Sequence, residues 1–248
     1  MNSRRGDLVE CFSSIQGEGI LIGRRQVFLR FSGCNLECRY CDTQFEAQPY
    51  FRIEKNPGCQ DFEEIPNPVD LETVARRLAD WQRSWPRLHH SLSITGGEPL
   101  LHDALLVEWL PVLRNYLPIF LETNGLLVDS LARIITHLDY IAMDIKLPSA
   151  SGHSDLWGPH REFLAIAAGK ECFVKTVISL ETDEAEIDRV CELITSVDPN
   201  IPLILQPITG ELQSAGMGEH LLRLQALASN ELSDVRVIPQ LHTLLHIL

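Results

Sequence analysis

The chain has 248 residues, of which 45% are hydrophobic and 22% charged, so it is long enough to bury the core of one soluble globular domain and leaves little room for two. Its net charge of −13, from 21 basic and 34 acidic residues, argues against nucleic acid as a partner, because nucleic-acid binding normally requires a basic face. No apolar run is long enough to cross a membrane, and the polar start, Met1–Asp7, carries no apolar signal segment, so a cytoplasmic protein without a membrane partner is expected.

The predicted elements alternate between strands and helices. The run QVFLRF predicts a first buried strand over Gln26–Phe31, and residues 46–69, with four prolines and no clean periodicity, predict an irregular insertion. From Asp70, a predicted N-cap, apolar residues recur at helical spacing and indicate a helix with one buried face. Further strands are predicted at Ser91–Thr95, Ile119–Glu122, Tyr140–Asp144, Glu171–Ile178, Leu203–Gln206 and Val235–Ile238. Further helices are predicted over Asp103–Arg114, near Asp129–His137, after a loop over Pro148–Pro159, around Ile187–Ile194 and over Glu219–Ala228. Pro111 is expected to kink or end the first of these helices.

This alternation predicts an α/β fold in which a parallel sheet is covered by helices. The length predicts one domain over residues 1–248, with enough strands to close only part of a (β/α) barrel. In such folds the active residues follow the carboxyl ends of the strands. The distinctive residues of this chain do follow predicted strands: Cys34, Gly96-Gly97-Glu98, Thr123-Asn124-Gly125, Lys146 and Gln206-Pro207.

Three of the seven cysteines, Cys34, Cys38 and Cys41, lie within eight residues. In a cytosolic protein such a group indicates metal or redox work rather than a disulfide framework. Thiolates suit both iron–sulfur clusters and zinc. Full ligation of a four-iron cluster takes four cysteines, so three would leave one iron open to a small molecule. The alternative is a zinc site with Cys59 as the fourth ligand.

The spacing C-x-x-x-C-x-x-C after a first strand, with Gly96-Gly97-Glu98-Pro99 after the second, resembles the radical S-adenosylmethionine (SAM) superfamily. The resemblance implies a 4Fe–4S cluster on the three cysteines, with SAM chelating the open iron through its amine and carboxylate. Reduction of the cluster then releases a 5′-deoxyadenosyl radical. The positions that correspond to SAM contacts are Gly97, Glu98, Asp144, Ile145, Lys146, Gln206, Pro207, Ile208 and Thr209.

Within that superfamily the chain is similar to the 7-carboxy-7-deazaguanine synthase family over nearly its whole length, except the insertion. The resemblance implies a radical ring contraction of 6-carboxy-5,6,7,8-tetrahydropterin to 7-carboxy-7-deazaguanine and ammonia, in 7-deazapurine (queuosine-type) biosynthesis. It also implies Mg²⁺, an electron donor such as flavodoxin or ferredoxin, and a homodimer. The segments that carry it are Ser14–Gly19, Phe28–Phe31, Gly33–Leu36, Cys41-Asp42-Thr43, Thr95–Pro99, Glu122–Gly125, Asp144–Ser149, Gln206-Pro207 and Arg236–His242.

The residue types suit that substrate. The Gln16 amide can read the donor–acceptor edge of a pterin, and Glu18 can accept from its amino and ring N–H groups. Arg30 can pair bidentately with the substrate carboxylate, and Thr43 matches the family's magnesium ligand. His242 stays open as either an exposed tail residue or a contact. The predicted substrate-binding residues are Ile15, Gln16, Gly17, Glu18, Arg30 and Thr95.

Two alternatives belong to other classes. One is a radical activase that removes hydrogen from a glycine of a partner protein; Ser14–Gly19 and Arg30 argue against it, because a backbone glycine needs no pterin or carboxylate recognition. The other is a zinc-stabilised binding module without catalysis, which would be colourless. The number of predicted strands argues against that reading.

Overall fold

A computed structural model of the chain describes residues 5–41, 43, 45–154 and 156–248. The strands are β1 (Leu8–Ile15), β2 (Arg25–Phe31), β3 (Tyr50–Glu54), β4 (Phe62–Pro66), β5 (Ser91–Gly96), β6 (Ile119–Thr123), β7 (Tyr140–Ile145), β8 (Glu171–Ile178), β9 (Leu203–Pro207) and β10 (Val235–Val237). The α-helices are α1 (Leu71–Ser84), α2 (Asp103–Leu113), α3 (Val128–Ile134), α4 (Pro148–Ser151), α5 (Trp157–Ala167), α6 (Glu184–Thr195), α7 (Met217–Ala228) and α8 (Leu241–Leu245).

The strands form one open sheet with the order β10-β9-β8-β7-β6-β5-β2-β1-β3-β4. All neighbours from β2 to β10 pair in parallel, and a helix lies between each of them and the next along the chain. The predicted α/β fold of parallel strands with outer helices is therefore confirmed. No helix in the described ranges is both long enough and apolar enough to cross a membrane.

The prediction of an irregular segment at 46–69 is wrong. β3 and β4 form an antiparallel hairpin there, and β3 pairs in parallel with β1, so the segment extends the sheet by two strands. The fully buried Glu54 carboxylate accepts hydrogen bonds from the backbone N–H groups of Ser13, Gly58 and Gln60. This one side chain closes the hairpin and ties it to β1, which periodicity alone does not reveal.

Three further differences concern strand and helix limits. β1 precedes the strand predicted as the first and pairs antiparallel with β2. α2 continues two residues past Pro111, to Leu113, although the proline lacks the N–H that would bond to the carbonyl four residues earlier. α5 begins at Trp157, so the predicted loop ends earlier; Pro159 lies in the first turn, where its missing N–H has no intrahelical partner to lose.

One face of the sheet packs in the main core and the other lines a cavity, because successive side chains of a strand point to opposite faces. In β6, Leu121 lies in the main core, whereas Phe120 and Glu122 line a cavity on the opposite face. Met143 of β7 and Val174 of β8 join Leu121 in the core. That core is completed by the buried faces of α1, α2, α3, α5, α6 and α7.

The connection between β1 and β2, residues 16–24, folds over the cavity face of the sheet. Leu21 forms a second apolar cluster with Phe120 and Phe173, and Ile20 packs against it. Gly19 lies against the Phe173 ring, since a Cβ there would stand 2.2 Å from that ring. This connection places Gln16, Gly17 and Glu18 on the wall of the cavity, although β1 itself runs antiparallel to β2.

The sheet ends differently at its two edges. At one edge, β4 exposes Glu63 and Glu64 and finishes at Pro66. At the other, β10 is three residues long and exposes Arg236 at its centre.

Candidate active site

The cavity on the open face of the sheet has a volume of 390 Å³. Its walls come from the loop Cys34–Cys41 (the cysteine loop), from β1, β2 and β5–β9, from the β1–β2 connection, and from the C-terminal segment. Because parallel strands bring their carboxyl ends to one edge, residues far apart in sequence meet here. The aromatic side chains of Phe12, Phe28, Phe120 and Phe173 supply apolar surface that excludes water.

Cys34, Cys38 and Cys41 all line this cavity. Cys34 and Cys38 are half-buried, and burial raises the pKa of both thiols, so their thiolates need a nearby positive charge such as that of iron. The loop is held at two points. Asn124 Nδ2 donates to Asn35 Oδ1 at 2.7 Å, and Lys146 Nζ donates to the Tyr40 hydroxyl at 2.9 Å.

The donor set suits a cluster better than a single ion. In the part of the chain that the structure describes, no three or more His, Cys, Asp or Glu side chains converge closely enough to hold one metal ion. Cys59, the fourth ligand of the zinc alternative, lies exposed in the β3–β4 turn and does not line the cavity. Three thiols spread around one cavity match the open-iron arrangement of a 4Fe–4S cluster.

The turn after β5, Gly96-Gly97, packs closely against the start of the cysteine loop. A Cβ on Gly97 would stand 2.2 Å from the Gly33 carbonyl oxygen and 2.9 Å from Cys34 Cβ. Gly96, at φ +148°, would place a Cβ 2.3 Å from the Phe31 carbonyl oxygen. Only glycine lets this turn lie against the start of the cysteine loop.

Two predicted SAM residues, Asp144 and Gln206, carry buried acceptor atoms, and so does Asn124, which was not predicted to contact SAM. Asp144 Oδ1, Gln206 Oε1 and Asn124 Oδ1 are buried and have no hydrogen-bond partner among the described residues. All three residues line the cavity. The ammonium, ribose hydroxyls and adenine amino group of SAM are donors, so these orphaned acceptors fit that ligand.

Two predicted SAM residues do not line the cavity. The Ile145 side chain is fully buried in the main core. Glu98 is also fully buried, and its carboxylate accepts from the backbone N–H groups of Leu100 (3.0 Å) and Asn124 (2.8 Å) and from the Thr123 hydroxyl. Burial raises the pKa of Glu98 to about 7. Glu98 thus ties the turn after β5 to the end of β6.

Glu122 organises two predicted substrate residues. Its Oε1 accepts from Gln16 Nε2 at 2.6 Å and its Oε2 from the Thr95 hydroxyl at 2.8 Å. Gln16 Nε2 also donates to Gln26 Oε1 (2.9 Å), and Gln16 Oε1 accepts from the Glu18 backbone N–H (2.9 Å). Both functions of the Gln16 amide are therefore engaged within the protein.

A row of alternating charges crosses the cavity face. Lys175 Nζ lies 2.5 Å from Glu18 Oε2 and 3.2 Å from Asp144 Oδ2, and Lys146 Nζ lies 3.0 Å from the same Asp144 oxygen. Burial pushes the pKa of Glu18 upward, but Lys175 and the donors around the carboxylate outweigh it and lower that pKa to about 2. Glu18 is therefore a carboxylate throughout the physiological range.

Arg30 lies at another part of the cavity wall. Its Nε donates to Glu10 Oε1 at 3.0 Å, and its guanidinium lies 5.9 Å from the centre of the Phe12 ring. Among the described residues, no carboxylate contacts the two terminal amino groups of Arg30. These coplanar donors are therefore available to a ligand. Thr43 also lines the cavity, whereas Asp42 of the same motif lies outside the described residues.

The structure brings most of the predicted site together, and adds residues that sequence reasoning misses. Glu122 and Lys175 line the cavity as charged residues at alternate positions of apolar strands, and that alternation was the available signal. Tyr40 lines it as well, and so does His242, which the sequence left open as a contact. The predicted residues that line it are Ile15, Gln16, Gly17, Glu18, Arg30, Cys34, Cys38, Cys41, Thr43, Thr95, Gly97, Asp144, Lys146, Gln206, Pro207, Ile208 and Thr209.

Comparison with known proteins agrees with this geometry. Residues 29–194 match the model of the radical SAM superfamily, and the chain therefore belongs to that superfamily. It is 52% identical to a 7-carboxy-7-deazaguanine synthase from Geobacter sulfurreducens, with 98% of each chain covered. It is 36% identical to one from Methanothermobacter thermautotrophicus, with 96% of each covered. Within the superfamily, the chain belongs to the 7-carboxy-7-deazaguanine synthase family.

Solved structures agree on the fold. The crystal structure of QueE from Escherichia coli has a TM-score of 0.57 and 19% sequence identity, and the match covers 96% of this chain and 95% of that one. A structure of TYW1 with a lysine–pyruvate adduct bound has a TM-score of 0.53 and 16% identity, over 84% of this chain. At these identities the likeness concerns the fold alone.

Proposed function

We propose that this chain converts 6-carboxy-5,6,7,8-tetrahydropterin to 7-carboxy-7-deazaguanine and ammonia by a radical ring contraction, as a step of 7-deazapurine biosynthesis. The observation that carries the proposal is the composition of one cavity. It joins Cys34, Cys38 and Cys41 to Glu18 and Arg30, which suit the two ends of a carboxylated pterin. The full-length family relationship supports the same reaction.

The cysteines would hold the 4Fe–4S cluster, and the acceptors at Asp144 and Gln206, with the backbone of Gly97, would hold SAM. When bound, the cluster and SAM would supply the radical chemistry that removes a hydrogen atom from C6 of the substrate. The apolar rings of the cavity keep water away from that carbon.

The chain's own residues then fix the substrate. Glu18 accepts from a pterin N–H group, and Arg30 takes the carboxylate through its terminal amino groups. Gln16 and Thr95, held by Glu122, border the same space. Fixing both ends of the ring system limits the rearrangement to one geometry.

Further features of the proposal come from the family resemblance. Thr43 would supply a hydroxyl ligand to Mg²⁺, which prefers hard oxygen ligands. A small electron-transfer protein such as a flavodoxin or ferredoxin reduces the cluster. The enzyme works in the cytoplasm as a homodimer.

The test is to purify the protein without oxygen, reconstitute it with iron and sulfide, and incubate it with SAM, dithionite, Mg²⁺ and 6-carboxytetrahydropterin. A brown protein that forms 7-carboxy-7-deazaguanine, identified by mass, supports the proposal. A brown protein that releases 5′-deoxyadenosine but leaves the pterin unchanged would overturn the substrate. A colourless protein with tightly bound zinc would overturn the reaction class as well.

A further inference from the structure

Lys175 occupies an unusual place, because one ammonium contacts two carboxylates that belong to different predicted subsites. Glu18 Oε2 lies 2.5 Å from its Nζ on the substrate side, and Asp144 Oδ2 lies 3.2 Å away on the SAM side. The Lys175 side chain is 15% exposed, and its partners are 22% and 12% exposed. Charges this secluded from solvent interact far more strongly than pairs on an open surface.

The Glu18 carboxylate is oriented from three directions. Lys175 holds Oε2, while Gln206 Nε2 (3.1 Å) and Gln240 Nε2 (2.9 Å) both donate to Oε1. A carboxylate offers about four acceptor sites, so roughly one remains for a ligand. Lys175 therefore helps to select which lone pair of Glu18 faces the cavity.

The Asp144 carboxylate is shared in the same way. Both Lys146 and Lys175 contact its Oδ2, which leaves Oδ1 as a buried acceptor without a partner in the described residues. A donor from a ligand at Oδ1 would withdraw charge from Asp144 and strengthen the hold of Lys175 on Glu18. Asp144 and Lys175 are also direct partners in the β7–β8 register, so their side chains stand side by side on the same face of the sheet.

We propose that Lys175 is a positioning residue that couples binding of the pterin at Glu18 to binding of SAM at Asp144. Each ligand weakens the binding of the other, because a donor at one carboxylate shifts the shared ammonium toward the other carboxylate and so neutralises the acceptor that the second ligand needs. This inference rests on the proposed function.

The experiment measures binding rather than turnover. The dissociation constants of 6-carboxytetrahydropterin and of SAM are determined by calorimetry on the anaerobic, reconstituted protein without a reductant, each with and without the other ligand. In the unsubstituted protein we expect each ligand to weaken the binding of the other by about fivefold or more, the usual range of coupling between sites. Lys175→Met, which keeps the length of the side chain, should bring this factor close to one and weaken pterin binding.

Two controls separate coupling from general damage. Lys175→Arg, which keeps the charge, should retain part of the coupling. Lys55→Met removes an exposed lysine that pairs with Asp61 and should leave all constants unchanged. If Lys175→Met does not fold, Glu18→Gln serves instead: it should weaken pterin binding, leave binding of SAM alone unchanged, and abolish the coupling.

The outcomes distinguish the inference from the function on which it rests. A protein that forms 7-carboxy-7-deazaguanine but binds its two ligands independently would overturn the inference alone. So would a Lys175→Met variant, or a Glu18→Gln variant, with an unaltered coupling factor. A protein that binds no pterin and forms no product would overturn the proposed function itself.

Discussion

The charged side chains of the cavity are held in place by protein groups of opposite sign. Arg30 is fixed by Glu10, Lys175 by Glu18, and Lys146 by Asp144. Fixed charges need little reorganisation when a ligand binds, which is the usual basis of tight and specific recognition. Such a site is sensitive to changes of geometry even where the charge is kept.

Arg30→Lys should therefore impair the enzyme strongly although the positive charge remains. An ammonium cannot contact Glu10 and a substrate carboxylate in the planar, bidentate manner of a guanidinium. We expect kcat/KM to fall by about 10–100-fold, the equivalent of one charge-assisted hydrogen bond. Steady-state kinetics test this, with Arg52→Lys, whose side chain is 49% exposed, as the control that should change little. Equal effects of both substitutions would contradict the assigned role.

Gly97→Ala should lower the capacity to hold the cluster. The added methyl would stand 2.2 Å from the Gly33 carbonyl oxygen, so the start of the cysteine loop must shift. We expect a loss of stability of about 1–3 kcal/mol, as for other steric insertions, and a marked fall in iron bound after reconstitution. Gly218→Ala, where a Cβ meets nothing within 4 Å, is the control. Full iron content in the Gly97 variant would refute this view of the turn.

Two buried histidines should make the fold sensitive to acid. Burial lowers the pKa of His89 and of His160 to about 4, whereas an unfolded histidine titrates near 6.5. The unfolded chain therefore takes up protons first as the pH falls. The stability is complete above about pH 6.5 and is lost progressively toward pH 4, by roughly 2 kcal/mol per histidine at pH 5.

Urea unfolding at pH 7 and pH 5 measures this loss. His89→Gln should reduce the difference between the two pH values, and His246→Gln, at an exposed position, should not. An unchanged difference in the His89 variant would show that other groups dominate the acid response.

Sequence predicts the local part of the site well and the distributed part less well. The three cysteines lie in one short segment, so their spacing is visible without a fold. Glu122 and Lys175 can be identified as site residues only from the fold, which places both of them on the cavity face of the sheet. The burial of the Glu98 carboxylate, likewise, depends on backbone donors from a second strand end.

At the scale of elements, the helices and the inner strands follow from periodicity. α1 begins after Asp70, whose side chain accepts from the Thr73 backbone N–H as its sequence position predicts. β1 escapes prediction because Ser13 and Ser14 interrupt its apolar run, although both are buried in the sheet. The β3–β4 hairpin escapes because its short strands are flanked by prolines and its turn is closed by a buried carboxylate that accepts from backbone N–H groups, a contact that no hydrophobic period reveals.

Glu54→Ala should destabilise the protein by about 3 kcal/mol, because three backbone N–H groups lose a buried acceptor. Chemical unfolding measures the effect. Glu64→Ala on the exposed side of β4 is the matched control and should stay within about 0.5 kcal/mol of the parent. A similarly mild effect at Glu54 would mean that the hairpin is held by its strand pairing alone.

At the scale of the whole molecule, the cysteine loop stands apart from the packed interior. Cys34, Cys38 and Cys41 belong to neither apolar cluster of the described residues. Replacing any of them with serine should abolish the brown colour while leaving the far-ultraviolet circular dichroism and the melting temperature close to those of the cluster-free parent. Cys59→Ser should keep the cluster. Loss of iron in the Cys59 variant would reassign the ligand set.

The open sheet has a consequence for how copies of the chain can meet. An open sheet offers two rows of unpaired backbone groups, at which strands of another molecule can add. Here the edge strand β10 is short, and the edge strand β4 carries exposed glutamates and ends in proline. A strand from a neighbouring molecule can therefore pair poorly with either edge. The protein is thereby protected against edge-to-edge aggregation. A stable pair of copies must form through side-chain surfaces, not through one continuous sheet.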